Sequence, residues 1–502
     1  MGAPATYTSY RGDLLRMASR VSRIDGYDLV LRCAPRATIR VSNREEDRMA
    51  SIAVIGGGPK AAAIAAKAEV LSRLSPHPVP QVTIYERTAF GAAWTGGNGY
   101  TDGLQPLCTM AERDLGFPYG RAYGNDVAEA MFARYSWQAF GVRVASGRAH
   151  YEQWVLHGRR PPAHLDFARY LDWAIRNSGA GHVHGTVTGL AHDATSHRWE
   201  VTWEDAIGRQ HTDPHDAVVV TGSGPPVRPL AGAFDASNVR NPRVFDGVTF
   251  WTDLDEIGKI LAAEALDTRK VVLIGAGGTA AAIAHWFVRA RIDVPVVIIG
   301  REPTLYARHP GYFEDHLFSD DAAWGALPAH VRDEFVRRLT TGVVWNYVLE
   351  NLDGANLAYT CADAVAFRTL VGGAGLYPEV QIDIRPTVPD GAPPSTAIRP
   401  EDGAVFVDAR GFDRWWFASL LPPALAGHMA TRPSQEAVMA AIDDALRLAA
   451  PFPAGLHVPM VASRQGPAAN NLMALGWMSD RVLRAFVPPP TPLAGGGAVG
   501  MP

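Results

Sequence analysis

The chain has 502 residues, 47% of them hydrophobic, which is enough for two or three domains with buried cores. Its 47 basic and 51 acidic residues leave a net charge of −4, so nothing drives it toward nucleic acid or an anionic membrane, and small molecules are the expected partners. Cys33, Cys108 and Cys361 stand far apart with no C-x-x-C pair, which excludes a disulfide framework, a zinc ribbon and a redox dithiol, and fits a reducing cytoplasm. No apolar run approaches the roughly 20 residues that span a bilayer.

Residues 1–48 are rich in Arg, have no clear helical or strand period and no apolar core like a signal peptide's, and read as a flexible amino-terminal extension. Ordered structure is expected from Met49, with Ser51 to Ile55 as a buried strand. Gly56-Gly57-Gly58-Pro59-Lys60-Ala61 then predicts a tight turn into an alanine-rich helix. In such a turn Gly56 permits the bend, Gly58 lets the backbone approach a pyrophosphate, and Ala61 allows close packing of helix on sheet, with Pro59 and Lys60 opening the helix. A second strand, Val82 to Tyr85, ends in Glu86, whose carboxylate can accept from ribose hydroxyls. Strand, glycine turn, helix, strand and acid in this order predict an FAD site.

Asp216 to Gly222 reads as another apolar strand running into a glycine turn, where the chain leaves the FAD sheet. The pattern then recurs: Val271 to Ile274, the turn Gly275-Ala276-Gly277-Gly278-Thr279-Ala280, a helix to Ala290, and the strand Val296 to Ile299. That strand ends at Gly300-Arg301 and not at an acid. Arg301 can pair with a 2′-phosphate, so Gly275, Gly277, Gly278, Thr279 and Arg301 predict NADPH; the alternative for Arg301 is a solvated loop arginine.

Val405 to Phe412 reads as the strand returning to the FAD sheet, with Asp408 at the cofactor. The fold class is therefore α/β, with two Rossmann-like dinucleotide-binding domains, the FAD domain interrupted by the NADPH domain. The expected bounds are 49–235 and 401–487 for the FAD domain, 236–400 for the NADPH domain with a substrate-binding segment around 311–350, and a disordered Pro/Gly-rich tail at 488–502. The sixteen histidines form no ligand set; His182 and His184 read as the exposed face of a strand, and no metal is expected. No G-x-S-x-G supports hydrolysis.

Three flavin chemistries compete for this architecture. Disulfide reduction lacks its cysteine pair. A Baeyer–Villiger or sulfide monooxygenase usually carries F-x-G-x-x-x-H, whereas Phe245-Asp246-Gly247-Val248-Thr249-Phe250-Trp251 has Trp in place of His. The third is N-hydroxylation. Gly91 to Gly103 (GAAWTGGNGYTDG), Glu112 to Tyr119 (ERDLGFPY), Tyr135 to Gln138 (YSWQ), Gly311 to Asp320 (GYFEDHLFSD) and Leu475 to Leu483 (LGWMSDRVL) resemble the mycobactin-type lysine N-oxygenases of the lysine/ornithine N-hydroxylase family.

The resemblance spans about Ser51 to Leu483 and implies an enzyme that uses FAD, NADPH and O2, through a C4a-hydroperoxyflavin, to hydroxylate a side-chain amine of an amino acid for a siderophore or other natural product. L-lysine is the first expectation; ornithine, another diamine or the α-amine of aspartate are the others. Homo-oligomers are frequent in such a family.

In the family a lysine after the flavin-facing loop holds the substrate carboxylate; Arg113 stands there, with a surface pair to Asp114 or Glu112 as its other reading. Asp315 falls where an asparagine usually touches substrate. It either meets the α-ammonium of lysine or signals a different substrate. Trp94 covers the isoalloxazine or is core. Asp408 is followed by Ala409-Arg410-Gly411 where the family has A-T-G, and Ser479 or Asp480 is expected to cap the last helix near the flavin ring.

Overall fold

The computed structural model describes residues 49–490 except 99, 145–146, 267, 310, 341–342, 353–354, 371–376 and 389–394, and leaves the side chains of 147–150 and 340 undescribed. The expectations for residues 1–48 and for the tail from 491 lie outside the described residues.

A strand flanked by parallel neighbours and covered on both faces buries every position, which is why Ser51–Ile55 and Ala217–Val220 read as continuous apolar runs. The first sheet has five parallel strands in the order Leu456–His457, Ala217–Val220, Ser51–Ile55, Gln81–Glu86, Gly181–His184. Helix Pro59–Leu74 packs beside helices His164–Ser178 and Leu475–Leu483. Its alanines at 61, 62, 63 and 66 are fully buried, since only a methyl fits where helix and sheet backbones come this close. Lys67 and Asp480 form a buried ion pair of 2.6 Å that ties this helix to the last one. Removing one partner of such a pair costs about 3–5 kcal/mol, because the other charge is left buried alone.

The second sheet has seven strands in the order Arg399–Asp402, Val380–Pro386, Leu357–Thr369, Val296–Gly300, Val271–Ile274, Val405–Asp408, Val244–Asp246. The last five are mutually parallel, and Val380–Pro386 runs antiparallel to both of its neighbours. A three-stranded antiparallel sheet, Thr186–Asp193, Arg198–Glu204 and Gln210–His215, adjoins the first unit.

One expectation is corrected here. Val405–Asp408 does not return to the first sheet; it lies in the second, between Val271–Ile274 and Val244–Asp246. The second unit therefore runs past residue 400 through Asp408, and the strand that rejoins the first sheet is Leu456–His457. In chain order the strands of the second sheet, from Val244 to Asp408, fall between Ala217–Val220 and Leu456–His457 of the first.

Between Val296–Gly300 and Leu357–Thr369 the chain inserts helices Tyr312–His316, Asp321–Ala326, Ala329–Thr340 and Asn346–Glu350, and a parallel pair, Tyr306–Arg308 with Val343–Trp345. This insertion reaches the last helix of the first unit. Trp477 Nε1 donates to Asp321 Oδ1 at 2.6 Å and Arg481 pairs with Asp321 at 2.7 Å. Among the described residues no helix is long and apolar enough to cross a membrane.

Candidate active site

The first glycine turn has the form a dinucleotide needs. Gly56 lies at φ +96°, and a Cβ there would stand 2.9 Å from Thr221 Oγ1, so both conformation and space demand glycine. Gly58 is the N-cap of Pro59–Leu74 in extended backbone, φ −92° and ψ −166°, with nothing within 4 Å of where its Cβ would be. The open space faces a helix N-terminus that has no side-chain cap and no acid in its first turn. Glu86 Oε2 accepts from Gly57 N at 2.8 Å and Oε1 accepts from the Thr88 amide and hydroxyl, both at 2.9 Å. One of its about four acceptor sites is left for a ribose hydroxyl. These residues fit the pyrophosphate and ribose of FAD.

Lys60, one of the residues expected at the FAD, adds a charge to the turn. Its side chain is buried, its Nζ donates to Asn471 O at 3.2 Å, and it has no acidic partner among the described residues. Burial pushes the ammonium down to about 7. A pyrophosphate beside it favours the charged form, so binding FAD above that pH draws in a proton. FAD affinity of the wild type is expected to fall as pH rises above about 7, and to stay flat in Lys60→Met, in fluorescence titrations from about pH 6 to 9.

The second turn repeats the first. Gly275 lies at φ +110° with Ala409 O 2.6 Å from its would-be Cβ, and Gly277, at φ −100° and ψ −166°, caps Gly278–Arg289 with open space ahead. Gly278 is also unhindered, while the Thr279 methyl packs against Gly247. The fit to NADPH is of the same kind. Arg301, one residue past its strand, is exposed and meets Asp363 only at 4.0 Å. An exposed guanidinium at this edge, with only a long contact to an acid, suits a 2′-phosphate. Arg301→Ala is expected to raise the KM for NADPH about tenfold and that for NADH less than twofold in steady-state assays.

The flavin-facing loop lies directly on the first turn, because Gly91 N donates to Gly57 O at 2.9 Å. Trp94 is half-buried and meets His164 and Phe167 edge to face at 4.8 and 5.5 Å, which fixes its plane beside the turn. Further along, Arg113 pairs with Asp315 at 2.5 Å across 202 residues of sequence. It pairs with neither Asp114 nor Glu112. Asp114 accepts from the amides of Trp137 and Gly116 and from Tyr119 OH, while Glu112 faces Arg159 at 3.9 Å. Arg113 also lies over the Phe117 ring at 5.2 Å and against Met473 Sδ at 3.9 Å. Since Lys60 holds Asn471, the segment 471–473 joins the FAD turn to the Arg113–Asp315 pair.

Two residues predicted at the FAD differ from expectation in their local setting. Asp408 ends a strand of the second sheet, and its carboxylate is bound by the Arg410 guanidinium at 2.8 and 2.7 Å, which also accounts for the arginine in that tripeptide. Ser479 is not a cap. The last helix begins at Leu475, the Ser479 hydroxyl donates back to Gly476 O at 2.9 Å, fully buried, and Asp480 is committed to Lys67. His182 and His184 are exposed on Gly181–His184, and no metal-ligand cluster exists among the described residues.

Sequence reasoning missed the contacts that join the two units: Gln105 Oε1 with His285 Nδ1 at 2.9 Å, Gln105 Nε2 to Ala282 O at 3.0 Å, and an ion pair of Asp102 with Arg289. It also missed Arg308, whose buried guanidinium lies between the rings of Phe318 and Trp345 near Asp315.

Residues 141–352 match the family described as L-lysine 6-monooxygenase/L-ornithine 5-monooxygenase. The chain is 32% identical over 456 residues to the L-lysine N6-monooxygenase MbtG of Mycolicibacterium paratuberculosis, covering 88% of this chain and 96% of that one. It is 32% identical over 455 residues to MbtG of Mycobacterium tuberculosis, with the same shares covered. Among solved structures it is similar to the lysine monooxygenase NbtG from Nocardia farcinica, with a TM-score of 0.69 and 30% identity over 87% of this chain and 100% of that one. The ornithine N-hydroxylase KtzI of Kutzneria sp. 744 shares the fold, at a TM-score of 0.62 and 16% identity over 88% and 99% of the two chains. With both glycine turns formed and opening on free helix N-termini, the chain belongs to the lysine/ornithine N-hydroxylase family and is an FAD- and NADPH-dependent N-hydroxylating monooxygenase.

Proposed function

We propose that the substrate is L-lysine, hydroxylated on its side-chain amine to N6-hydroxylysine for a siderophore or related natural product. The observation that carries this reading is the half-buried Arg113–Asp315 pair, joined to the FAD turn through the segment 471–473. The two positions depart from the family pattern together. Arg for Lys keeps the positive charge and Asp for Asn adds a negative one that the arginine offsets. Asp315 Oδ1 is buried and has no hydrogen-bond partner, so it is ready to accept from an α-ammonium. The relatives named for lysine support the same substrate.

Bound FAD supplies the redox chemistry, passing electrons from NADPH to O2 and one oxygen atom to the amine. The protein's residues bind and orient. With the α-ammonium at Asp315, the side-chain amine lies at the opposite end of the substrate, away from that carboxylate. This matters because the reacting amine, with a pKa of about 10.4 in water, must lose its proton to be oxidised, and a carboxylate beside it would oppose that loss. Phe117 and Met473 form an apolar wall next to the pair. The dispersed cysteines support a reducing cytoplasm, and the family resemblance supports a homo-oligomer, which light scattering on the purified protein reads directly.

The test is hydroxylamine formation by the FAD-loaded protein with NADPH, run in parallel on lysine, ornithine, cadaverine and aspartate. Product with lysine at the highest kcat/KM is expected. A higher value for ornithine or aspartate would move the substrate. Asp315→Asn is expected to raise the KM for lysine, and an increase in lysine turnover would instead mean that the carboxylate is tuned for another amine.

A further inference from the structure

Resting on the amino-acid reading above, we propose that Arg308 holds the α-carboxylate of the substrate, so that Arg308 and Asp315 together form a zwitterion site selecting free α-amino acids over amines that lack the carboxylate. Arg113 is already engaged by Asp315 and cannot give its whole fork to a second carboxylate. A second cation is therefore needed, and the structure has one. Arg308 ends the strand Tyr306–Arg308, in register opposite Trp345, and its side chain is 10% exposed. The rings of Phe318 and Trp345 hold the guanidinium at 5.2 and 5.1 Å, fixing its plane without using its N–H groups.

The unfilled hydrogen bonds mark the site. Arg308 Nε and Nη2, Tyr347 OH, Glu314 Oε1 and Asp315 Oδ1 are all buried without a hydrogen-bond partner. Glu314 Oε1 stands 2.9 Å from Arg308 Nη2, close in charge but not aligned to accept from it. Buried polar atoms in a folded chain are almost always satisfied, and these orphans, with Arg308 and Tyr347 both in the field of Cys108 and Glu314 and Asp315 acting on Arg308, point to a ligand or ordered water that completes them. Three of the five can donate, the two Arg308 nitrogens and the phenol, as a carboxylate requires. The two carboxylate oxygens accept, as an ammonium requires. Asp315 and Glu314 also act with Cys108 to oppose the effect of burial on the Arg308 charge, so the guanidinium and the acids share one field. A bound zwitterion satisfies both signs at once.

The test compares L-lysine with L-lysinamide, which keeps the α-amine and replaces the carboxylate by a neutral amide, on FAD-loaded wild type, Arg308→Gln and Arg308→Lys. Arg308→Gln is expected to raise the KM for lysine about 10- to 100-fold with kcat changed less than about threefold, to leave the KM for lysinamide within about twofold, and so to abolish the preference for lysine. Arg308→Lys is expected to recover part of that preference, since it keeps the charge and loses the fork. FAD content and thermal midpoint report folding. Should Arg308→Gln not fold, the Lys variant carries the comparison, and an unchanged lysine-to-lysinamide ratio in it overturns the assignment. An equal loss for both substrates also overturns it, because that is the mark of a structural residue. Hydroxylamine from neither substrate in the wild type overturns the lysine reading on which the proposal rests, whereas lysine turnover with an unaltered KM in Arg308→Gln overturns only the role of Arg308.

Discussion

Gly58→Val is expected to fold and to purify without colour. The backbone at Gly58 is extended, so valine adopts it without strain, and no heavy atom stands within 4 Å of the new Cβ. The cost to stability is that of a poorer N-cap, about 1 kcal/mol. The valine methyls instead fill the space ahead of the helix N-terminus, where the backbone N–H groups must come within hydrogen-bond distance of the pyrophosphate. Losing two charge-assisted hydrogen bonds of about 1.5 kcal/mol each weakens FAD binding about 100-fold or more. Absorbance of the purified protein and a fluorescence titration with FAD read the loss, and a thermal melt reads the fold. A yellow variant with wild-type affinity would mean that the cofactor does not rest on this turn.

Gly277→Val makes the same change at the second turn, and its consequence should be different. Gly277 has nearly the same dihedral angles as Gly58 and the same empty space ahead of it. The variant is expected to retain FAD at wild-type affinity, to be reduced normally by dithionite, and to show a KM for NADPH raised about 100-fold. Stopped-flow reduction separates NADPH binding from hydride transfer. Loss of FAD in this variant would show that the two units are not independent sites. The exchange of effects between the two valines, flavin in one and nicotinamide in the other, is what assigns each turn to its cofactor.

What was legible in the sequence is what local geometry dictates. A glycine turn between a buried strand and an alanine helix needs no information from elsewhere, and both turns were identified with their residues. The strand Val405–Asp408 was assigned to the wrong sheet for a reason visible in the structure. Ala217–Val220 abuts the first strand of one unit, and Val405–Asp408 abuts the first strand of the other. Each is followed by the residue that crowds the first glycine of its turn, Thr221 against Gly56 and Ala409 against Gly275. Two equivalent strands carry the same pattern, and periodicity does not say which sheet a strand joins.

The last helix was started too late because Ser479 and Asp480 are residue types that favour caps, whereas the observed N-cap is Ala474. Here tertiary contacts override that preference, with Asp480 neutralised by Lys67 and Ser479 bonded within the helix. Arg113 and Asp315 were both named as substrate residues, but as separate groups. Their pairing spans 202 positions and leaves no trace in either local segment. Arg308 was missed for the same reason, since an arginine at the end of a three-residue strand looks like a solvated one until the rings around it are placed.

The central claim is that this chain places an oxygen atom from O2 on the side-chain nitrogen of an amino acid. The most direct measurement is turnover of L-lysine by the FAD-loaded protein with NADPH under heavy-isotope oxygen, followed by mass spectrometry of the product. N6-hydroxylysine carrying one heavy oxygen, formed in step with NADPH oxidised, is the expected result. NADPH oxidation that yields only hydrogen peroxide with every amine offered, with no heavy oxygen on any of them, would contradict it.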